Sequence, residues 1–322
     1  MLEVALVTGI SGQDGSLLSK ILVENNYTVV GLVRNKEIFT YDKLKYLSIE
    51  KEVIIEQVDL LNYDELHKLF IKYNPTKVFN FASQSSVGLS YSLPRETLEF
   101  NIQSVVNILE CIRVYDRGIR FFQASSSEIF GNVRELPVNE ETPINPVNLY
   151  AISKATCHSI IEYYRKHYNI FVSSAIFMNH ESVFRGNNFI IKKVIRDLIK
   201  VKNKEIKNLV VGNIDTMRDF GSASKYMEAV YKMLQVSQCD DFVISSGKSY
   251  AIKEIINYVL DNLSLEWSTV QFDKKLYREN DLINIYGDSS KANKILDWHY
   301  NESFFSVLDQ MIAYEKNQYK IR

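Results

Sequence analysis

A tyrosine and a lysine four residues apart form the most reactive pair in this 322-residue sequence. Tyr150 and Lys154 lie near the start of a predicted helix, and side chains at that spacing share one helix face. A phenol ordinarily titrates near about 10, and a neighbouring ammonium favours the phenolate. We therefore expect Lys154 to bring the pKa of Tyr150 towards neutrality, so that Tyr150 accepts the proton of a hydroxyl while hydride leaves the same carbon.

A serine and a glutamate follow the fifth predicted strand, within the segment Gln123–Gly131. Ser126 is placed to hydrogen-bond the hydroxyl that reacts with Tyr150. Oxidation or epimerisation at one carbon needs no carboxylate here, whereas elimination of water needs a base for a carbon-bound proton. Glu128 therefore predicts an elimination that follows the oxidation.

Glycines recur at every third position directly after the first predicted strand, in a G-x-x-G-x-x-G pattern. Gly9 permits a tight turn, Gly12 lets the backbone approach a pyrophosphate, and Gly15 lets the following helix pack against the strand. The N–H groups at the start of that helix then face the phosphates. We expect the turn to hold a dinucleotide through Thr8, Gly9, Gly12, Gln13, Asp14 and Gly15.

The end of the second predicted strand indicates which dinucleotide is bound. NAD calls for an acidic residue at this point and NADP for a cation. The sequence has Arg34 there and no acid, so we expect NADP with Arg34 on the 2′-phosphate.

Two further strand ends complete the predicted cofactor site. Asp59 and Leu60 would lie near the adenine, and the residues that let the dinucleotide lie flat would be Phe81, Ala82, Ser83 and Ser85.

Short apolar runs alternate with amphipathic stretches in the first half of the chain, which predicts parallel strands joined by helices. A helix at Asn148–Tyr168 and a strand at Phe171–Phe177 extend this pattern. The predicted fold is a Rossmann-type doubly wound parallel sheet with a smaller α/β lobe. We place the dinucleotide domain at residues 1–180 and the substrate lobe at 181–322, partly interleaved, with a ligand crevice between them.

The composition excludes several classes of protein. With 38 basic and 39 acidic residues, the sequence lacks the positive field of a nucleic-acid binder. The three cysteines, Cys111, Cys157 and Cys239, have neither metal-ligand spacing nor a disulfide pattern, so we expect free thiols and no bound metal. We find no apolar stretch long enough for a membrane span and no basic leader, and we expect a cytoplasmic protein.

Seven segments, in order along nearly the whole chain, resemble the extended short-chain dehydrogenases and, more closely, the GDP-mannose 4,6-dehydratases. They are TGISGQDGSLL, VGLVR, QASSSEIFG, YAISK, MNHESVFRG, VGNIDTMRDFG and YGDSSKANKILDW. The resemblance implies that retained NADP⁺ takes hydride from C4 of a GDP-hexose while Tyr150 acts as base and Lys154 assists. Glu128 would remove the C5 proton, water would leave from C6, and hydride would return to C6.

The same resemblance implies further site residues and an assembly. His180 and Arg185 would contact the cofactor. The substrate would meet Ser85, Ser126, Asn179, Lys193, Arg218 and Arg278, of which the cations suit a diphosphate. The resemblance also implies a homodimer or homotetramer.

The sequence departs from the family pattern around these sites. Asn35 replaces a second arginine, Glu96 a tyrosine and Glu279 a proline, and the stretch Ser182–Gly186 differs from the familiar SPRRG. We therefore expect the substrate to be GDP-mannose or a relative, such as GDP-N-acetylglucosamine or a GDP-heptose, and a nucleotide with a different base is a further alternative. A reductase or an epimerase of the superfamily is the alternative enzyme, and a non-enzymatic NADP-binding sensor is a more distant one.

Overall fold

A computed structural model describes residues 3–277 and 282–320. Within them the strands are β1 Val4–Thr8, β2 Thr28–Val33, β3 Val53–Gln57, β4 Lys77–Asn80, β5 Arg120–Ala124, β6 Val172–Phe177, β7 Asn179–Glu181, β8 Leu209–Val211, β9 Met217–Ser222, β10 Asp241–Ile244, β11 Ser249–Ala251, β12 Val270–Phe272 and β13 Asn284–Ile285. The helices are α1 Gln13–Glu24, α2 Asp42–Tyr46, α3 Tyr63–Tyr73, α4 Val87–Ser92, α5 Pro94–Tyr115, α6 Leu149–Tyr168, α7 Ile190–Lys202, α8 Ala223–Met233, α9 Ile252–Leu263, α10 Ser290–Leu296 and α11 Phe304–Lys320. Short 3₁₀ turns occur at Ser127–Phe130, Trp267–Thr269 and Lys274–Leu276.

Seven parallel strands form the main sheet, in the order β10-β6-β5-β4-β1-β2-β3. The order reverses between β1 and β4, where Thr8 pairs with Asn80 in register. A reversal of this kind opens a crevice outside the carboxyl ends of the strands, where ligands of doubly wound folds bind. The predicted parallel sheet is therefore confirmed, and its switch point lies at the glycine turn.

The alternation of side chains along the strands places a hydrophobic core on each face of the sheet. On β1, Ala5 and Val7 pack into the core formed with α1 and α8, whereas Leu6 packs into the core formed with α3, α5 and α6. Both faces of β4 and β6 are buried, as expected when helices cover both sides of a parallel sheet. Burial of one large apolar side chain contributes about 1.5–3 kcal/mol, so these two layers hold the strand ends in place.

The later part of the chain builds a second group of strands over the crevice. Strand β9 pairs with β7, β11 and β13, and β8 pairs with β12. A third core joins β8, β9, β11 and β12 to α7, α9 and α11. Strand β10 nevertheless belongs to the main sheet and α8 to the core beside α1. The division of the chain at residue 180 stays a prediction.

The part of the chain that the structure describes contains neither a membrane-spanning helix nor a cluster of metal-ligating side chains. None of the helices in residues 3–277 and 282–320 is both long and apolar enough to cross a bilayer. Nor do His, Cys, Asp and Glu side chains of those ranges gather in threes around a point that suits a metal ion.

Candidate active site

A cleft of about 580 Å³ lies at the carboxyl ends of β1, β4, β5 and β6. The residues that follow those strands (Gly9, Phe81, Ser125 and Met178) all line it, because parallel strands end at one edge of a sheet. Most of the residues singled out in the sequence also line this cleft. They are Gly9, Gly12, Gln13, Asp14, Gly15, Phe81, Ala82, Ser83, Ser85, Ser126, Glu128, Tyr150, Lys154, Asn179, His180, Arg185 and Arg218.

The glycine turn has the shape of a pyrophosphate cradle. Gly9 has a φ of +67°, which glycine adopts without a steric cost. A Cβ on Gly15 would lie 2.4 Å from the carbonyl oxygen of Gly9, so α1 approaches β1 as closely as its backbone permits. Helix α1 starts after Gly12 without a side-chain cap. The first turn of α1 therefore offers backbone N–H groups to an anion.

Thr8 lies beneath the cleft and does not line it. Its hydroxyl donates to Asn80 Oδ1 at 2.6 Å and accepts from the backbone N–H groups of Phe81 (3.1 Å) and Ala82 (3.0 Å). These bonds tie the end of β1 to the segment after β4. Thr8 therefore shapes the cofactor cleft from below, and the expected direct contact of its side chain with a dinucleotide is not supported.

Two cations that follow β2 differ in their position, because Lys43 lines the cleft and Arg34 does not, and the predicted contact of Arg34 with a 2′-phosphate stays a prediction. Arg34 is exposed and lies outside the lining, with its guanidinium 5.1 Å from the ring centroid of Phe100. Lys43, on α2, lines the cleft, and its ammonium donates to the backbone oxygen of Ser11 in the glycine turn. Burial lowers the pKa of Lys43. The sequence analysis missed Lys43, because nothing in the pattern shows which way so short a helix packs.

Asp59 and Leu60 also lie outside the cleft lining. Asp59 is exposed and accepts from the N–H of Leu61 at 3.0 Å, which makes it a turn residue. Leu60 is buried in the core, and its carbonyl accepts from Asn107 Nδ2 at 2.9 Å. Both residues therefore help to hold the chain after β3, and their assignment as adenine contacts stays a prediction.

Tyr150 and Lys154 are both buried in the first two turns of α6, and both line the cleft. Burial raises the pKa of Tyr150 to about 12, against the opposing effects of a hydrogen bond from Ser126 and the charge of Arg185. Lys154 donates to the carbonyl of Ala124 at 3.0 Å, and its Nζ lies 5.8 Å from the ring centroid of Tyr150. Burial also lowers the pKa of Lys154, to about 8. The expectation that the lysine already brings the phenol towards neutrality is wrong for the ligand-free protein, because desolvation outweighs the neighbouring charges.

Glu128 faces the same cleft, half-buried, one short turn after β5. Its Oε2 accepts from Asn148 Nδ2 at 3.0 Å, and its backbone N–H donates to Ser126 Oγ at 3.3 Å. Asn148 is also the N-cap of α6, since its Oδ1 accepts from the N–H of Ala151 at 2.8 Å. The second bond of Asn148, to Glu128, joins the start of α6 to the turn after β5.

His180 on β7 is buried and forms an ion pair with the partly exposed Asp14 on α1. Its Nε2 lies 3.1 Å from both carboxylate oxygens, and its Nδ1 lies 2.9 Å from the carbonyl of Met178. Burial acts to lower the pKa of His180, but the charge and hydrogen bond of Asp14 outweigh it and raise that pKa. The pair joins the glycine turn to the second group of strands.

The expected substrate cations divide into three cases. Arg218 lines the cleft, together with Asn179 and with Arg185, the cation expected at the cofactor. Lys193 lies outside the lining, and its ammonium donates to the carbonyl of Val210 at 2.6 Å, so the structure does not support its assignment to a diphosphate. Arg278 lies outside the described residues.

Solved structures with this fold include enzymes that act on nucleotide sugars. The dTDP-glucose 4,6-dehydratase of Streptomyces venezuelae, with NAD and TYD bound, superposes with a TM-score of 0.89 at 19% identity and covers 98% of both chains. RMD of Pseudomonas aeruginosa, complexed with NADPH, gives a TM-score of 0.83 at 23% identity over 98% of this chain and 99% of that one. At these identities the comparison supports the fold alone.

The sequence matches are more specific. The family model described as GDP-mannose 4,6 dehydratase matches residues 6–311. The GDP-mannose 4,6 dehydratase of Drosophila melanogaster is 32% identical, over 96% of this chain and 85% of its own. GDP-mannose 4,6 dehydratase 1 of Arabidopsis thaliana is 34% identical, over 96% and 89%. The chain therefore belongs to the GDP-mannose 4,6-dehydratase family, a family of hydro-lyases.

Proposed function

We propose that the protein converts GDP-mannose, or a close GDP-sugar relative, into the GDP-4-keto-6-deoxy sugar with loss of water. The observation that carries this proposal is the presence of the Glu128 carboxylate and the Tyr150 phenol in one cleft beside the glycine turn. Elimination needs both groups, because one proton leaves a hydroxyl and another leaves a carbon. A reductase or an epimerase needs the phenol but not the carboxylate.

The residues of the glycine turn fit a nicotinamide dinucleotide. The positive φ of Gly9, the uncapped start of α1 and the close approach at Gly15 together make a backbone cradle for a pyrophosphate. When bound, such a cofactor supplies a hydride acceptor for C4 of the sugar and a hydride donor for C6, so that no external reductant is consumed.

Within this proposal the cofactor is NADP, and Lys43 is the residue that favours it. The 2′-phosphate of NADP lies near the segment after β2. Lys43 follows that strand and reaches the glycine turn at Ser11, whereas Arg34 turns away towards Phe100. An ammonium that is partly desolvated in a cleft gains from a phosphate partner, because the opposite charge offsets its burial.

Tyr150 takes the proton from the C4 hydroxyl in the first step. Its pKa of about 12 shows that burial disfavours the phenolate before ligands bind. Lys154 and Arg185 are the nearby cations of the cleft that compensate the negative charge. Ser126, which lines the cleft together with Tyr150, orients the reacting hydroxyl.

Glu128 acts in the second step, once C4 is a ketone. The ketone makes the C5 proton acidic, and the carboxylate removes it. The C5–H bond and the C6–O bond break, a C5–C6 double bond forms, and the C6 hydroxyl leaves as water with the proton that Glu128 returns to it. Glu128 ends the step as a carboxylate, so atoms and charges balance.

The function is tested with a panel of GDP-, dTDP-, UDP- and CDP-hexoses and no added NADPH. We expect a product with one water less by mass from GDP-mannose or a GDP-linked relative. A protein that turns over only when NADPH is supplied in stoichiometric amounts is a reductase, and one that interconverts epimers at constant mass is an epimerase. Either result contradicts the proposal.

We also propose a homodimer or homotetramer in the cytoplasm. Around α4 and the starts of α5 and α6 several large apolar side chains are exposed, namely Leu89, Tyr91, Leu93 and Ile152. Apolar groups that gather on a surface favour an interface with another chain. The cysteines Cys111, Cys157 and Cys239 are free thiols, in keeping with a reducing compartment. Light scattering tests the assembly, and a monomer at micromolar concentration would contradict it.

A further inference from the structure

Asn148 uses both ends of its side-chain amide, and the two bonds lead to different parts of the active site. The Oδ1 atom accepts from the N–H of Ala151 and thereby caps α6, the helix that carries Tyr150. The Nδ2 atom donates to Oε2 of Glu128 at 3.0 Å. Because a backbone N–H only donates, the first bond determines the orientation of the amide and directs its donor at the carboxylate.

The bond is well placed to hold the carboxylate still. Asn148 is 8% exposed, so little water competes for its amide. The backbone N–H of Glu128 is held separately by Ser126 Oγ. Asn148 therefore restrains the side chain of Glu128 while Ser126 restrains its backbone. The same asparagine ties this carboxylate to the start of the helix that presents the phenol.

We propose that Asn148 is the positioning residue for Glu128. The amide of Asn148 binds Oε2 of the carboxylate and leaves Oε1 free to take the proton from C5. This inference rests on the proposed dehydratase function. A hydrogen bond to a charged acceptor holds geometry better than one between neutral groups. Loss of the donor should therefore slow the proton transfer at C5. The rate of oxidation at C4 should not change, because that step depends on Tyr150.

The test separates the cap from the donor. Asn148→Ser keeps an acceptor for the Ala151 N–H but lacks the second arm that reaches Glu128, since serine is a good N-cap. Asn148→Asp keeps both the cap and the shape and sets a like charge beside Glu128. The matched control is Asn62→Ala, because Asn62 caps α3 by accepting from Glu65 N at 3.2 Å and lies outside the cleft lining.

Two rates are measured on GDP-mannose for each protein: solvent deuterium entry at C5 and single-turnover hydride removal from C4. We expect the deuterium entry of Asn148→Ser to fall by about tenfold or more, and that of Asn148→Asp to fall further. Hydride removal should stay within about twofold of wild type. Asn62→Ala should change neither rate and should only lower the melting temperature.

Three results would overturn the inference. Deuterium entry at the wild-type rate in both Asn148 variants would show that Asn148 only caps α6 and does not position Glu128. A parallel fall of both rates would show that the substitution disturbs the whole site. A wild-type protein that releases no water from any GDP-sugar would overturn the proposed function together with this inference, whereas the first two results leave the proposed function standing.

Discussion

The buried His180 forms an ion pair with the partly exposed Asp14, with Nε2 of the histidine 3.1 Å from both oxygens of the aspartate. The pair connects the first turn of the dinucleotide helix to β7, so it joins the two sides of the site. Its pKa shifts have opposite directions. The pKa of His180 is raised. Burial acts to raise the pKa of Asp14, but the charge and hydrogen bond of His180, the hydrogen bond of Gln13 and the charge of Arg185 together outweigh burial and lower it.

Asp14→Asn should therefore destabilise the protein by on the order of 3 kcal/mol, because it leaves a buried imidazolium without its partner. The loss should depend on pH. The stability that Asp14 contributes is fully present above pH 3.8, the ordinary pKa of the carboxyl group, and is lost as pH falls through its lowered folded-state pKa. The stability that His180 contributes is fully present below pH 6.5, the ordinary pKa of the imidazole, and is lost as pH rises through its raised folded-state pKa. Denaturant unfolding should show the largest difference from wild type between these two values, and a constant difference from pH 4 to about 9 would contradict the prediction.

Glu128→Gln should abolish deuterium entry at C5 while leaving cofactor binding intact. The amide keeps the size of the side chain but accepts no proton, and general-base contributions are typically about 10²–10⁴-fold. The exchange is followed by mass spectrometry and the binding by fluorescence titration. Exchange at the wild-type rate would exclude Glu128 as the C5 base.

Lys154 should produce an alkaline limb in the pH profile of kcat/KM. Burial lowers its pKa to about 8 in the ligand-free protein, so the ammonium that supports the Tyr150 phenolate is lost above that pH. The profile of kcat/KM reports groups of the free enzyme. We expect kcat/KM to fall as pH rises past about 8. The Lys154→Met variant should have a much lower kcat/KM, and its pH profile should lack this alkaline decrease. A limb that persists in the variant would belong to another group.

Lys43→Met should weaken the binding of NADP⁺ by about tenfold and leave that of NAD⁺ within about twofold. The reason is that only NADP carries the 2′-phosphate that the ammonium would meet. Arg34→Met is the matched control, since Arg34 follows the same strand but packs on Phe100 outside the cleft. Calorimetry on the cofactor-free protein measures both ligands. A larger effect from Arg34 than from Lys43 would reverse the assignment.

Gly15→Ala should lower stability by about 1–3 kcal/mol, because the new methyl group would lie 2.4 Å from the carbonyl oxygen of Gly9, and backbone atoms yield only by moving α1. Gly88→Ala is the control. A Cβ at Gly88 has its nearest neighbour at 3.8 Å, and alanine is the better helix former. Thermal unfolding should separate the two variants, and equal melting temperatures would show that α1 tolerates a wider gap.

The sequence predicted correctly those features that arise from local patterning. The 2-residue and 3.6-residue periods of apolar residues define strands and helices over short windows, and α6 begins within one residue of its prediction. Glycines at every third position fit a pyrophosphate turn in almost any context that places a strand before them and a helix after them. The four-residue spacing of Tyr150 and Lys154 is also a local feature, since one helical turn places both side chains on one face of the helix.

What the sequence alone determined is the alternation of parallel strands and helices, the glycine turn and the presence of Tyr150, Lys154 and Glu128 after the strands. Only the tertiary structure decided which cation enters the cleft, since the direction of Arg34 and Lys43 depends on how the segment after β2 packs. The same holds for the raised pKa of Tyr150 and for the bond from Asn148 to Glu128. Desolvation and contacts between distant segments are properties of the packed chain, and no spacing along the sequence encodes them.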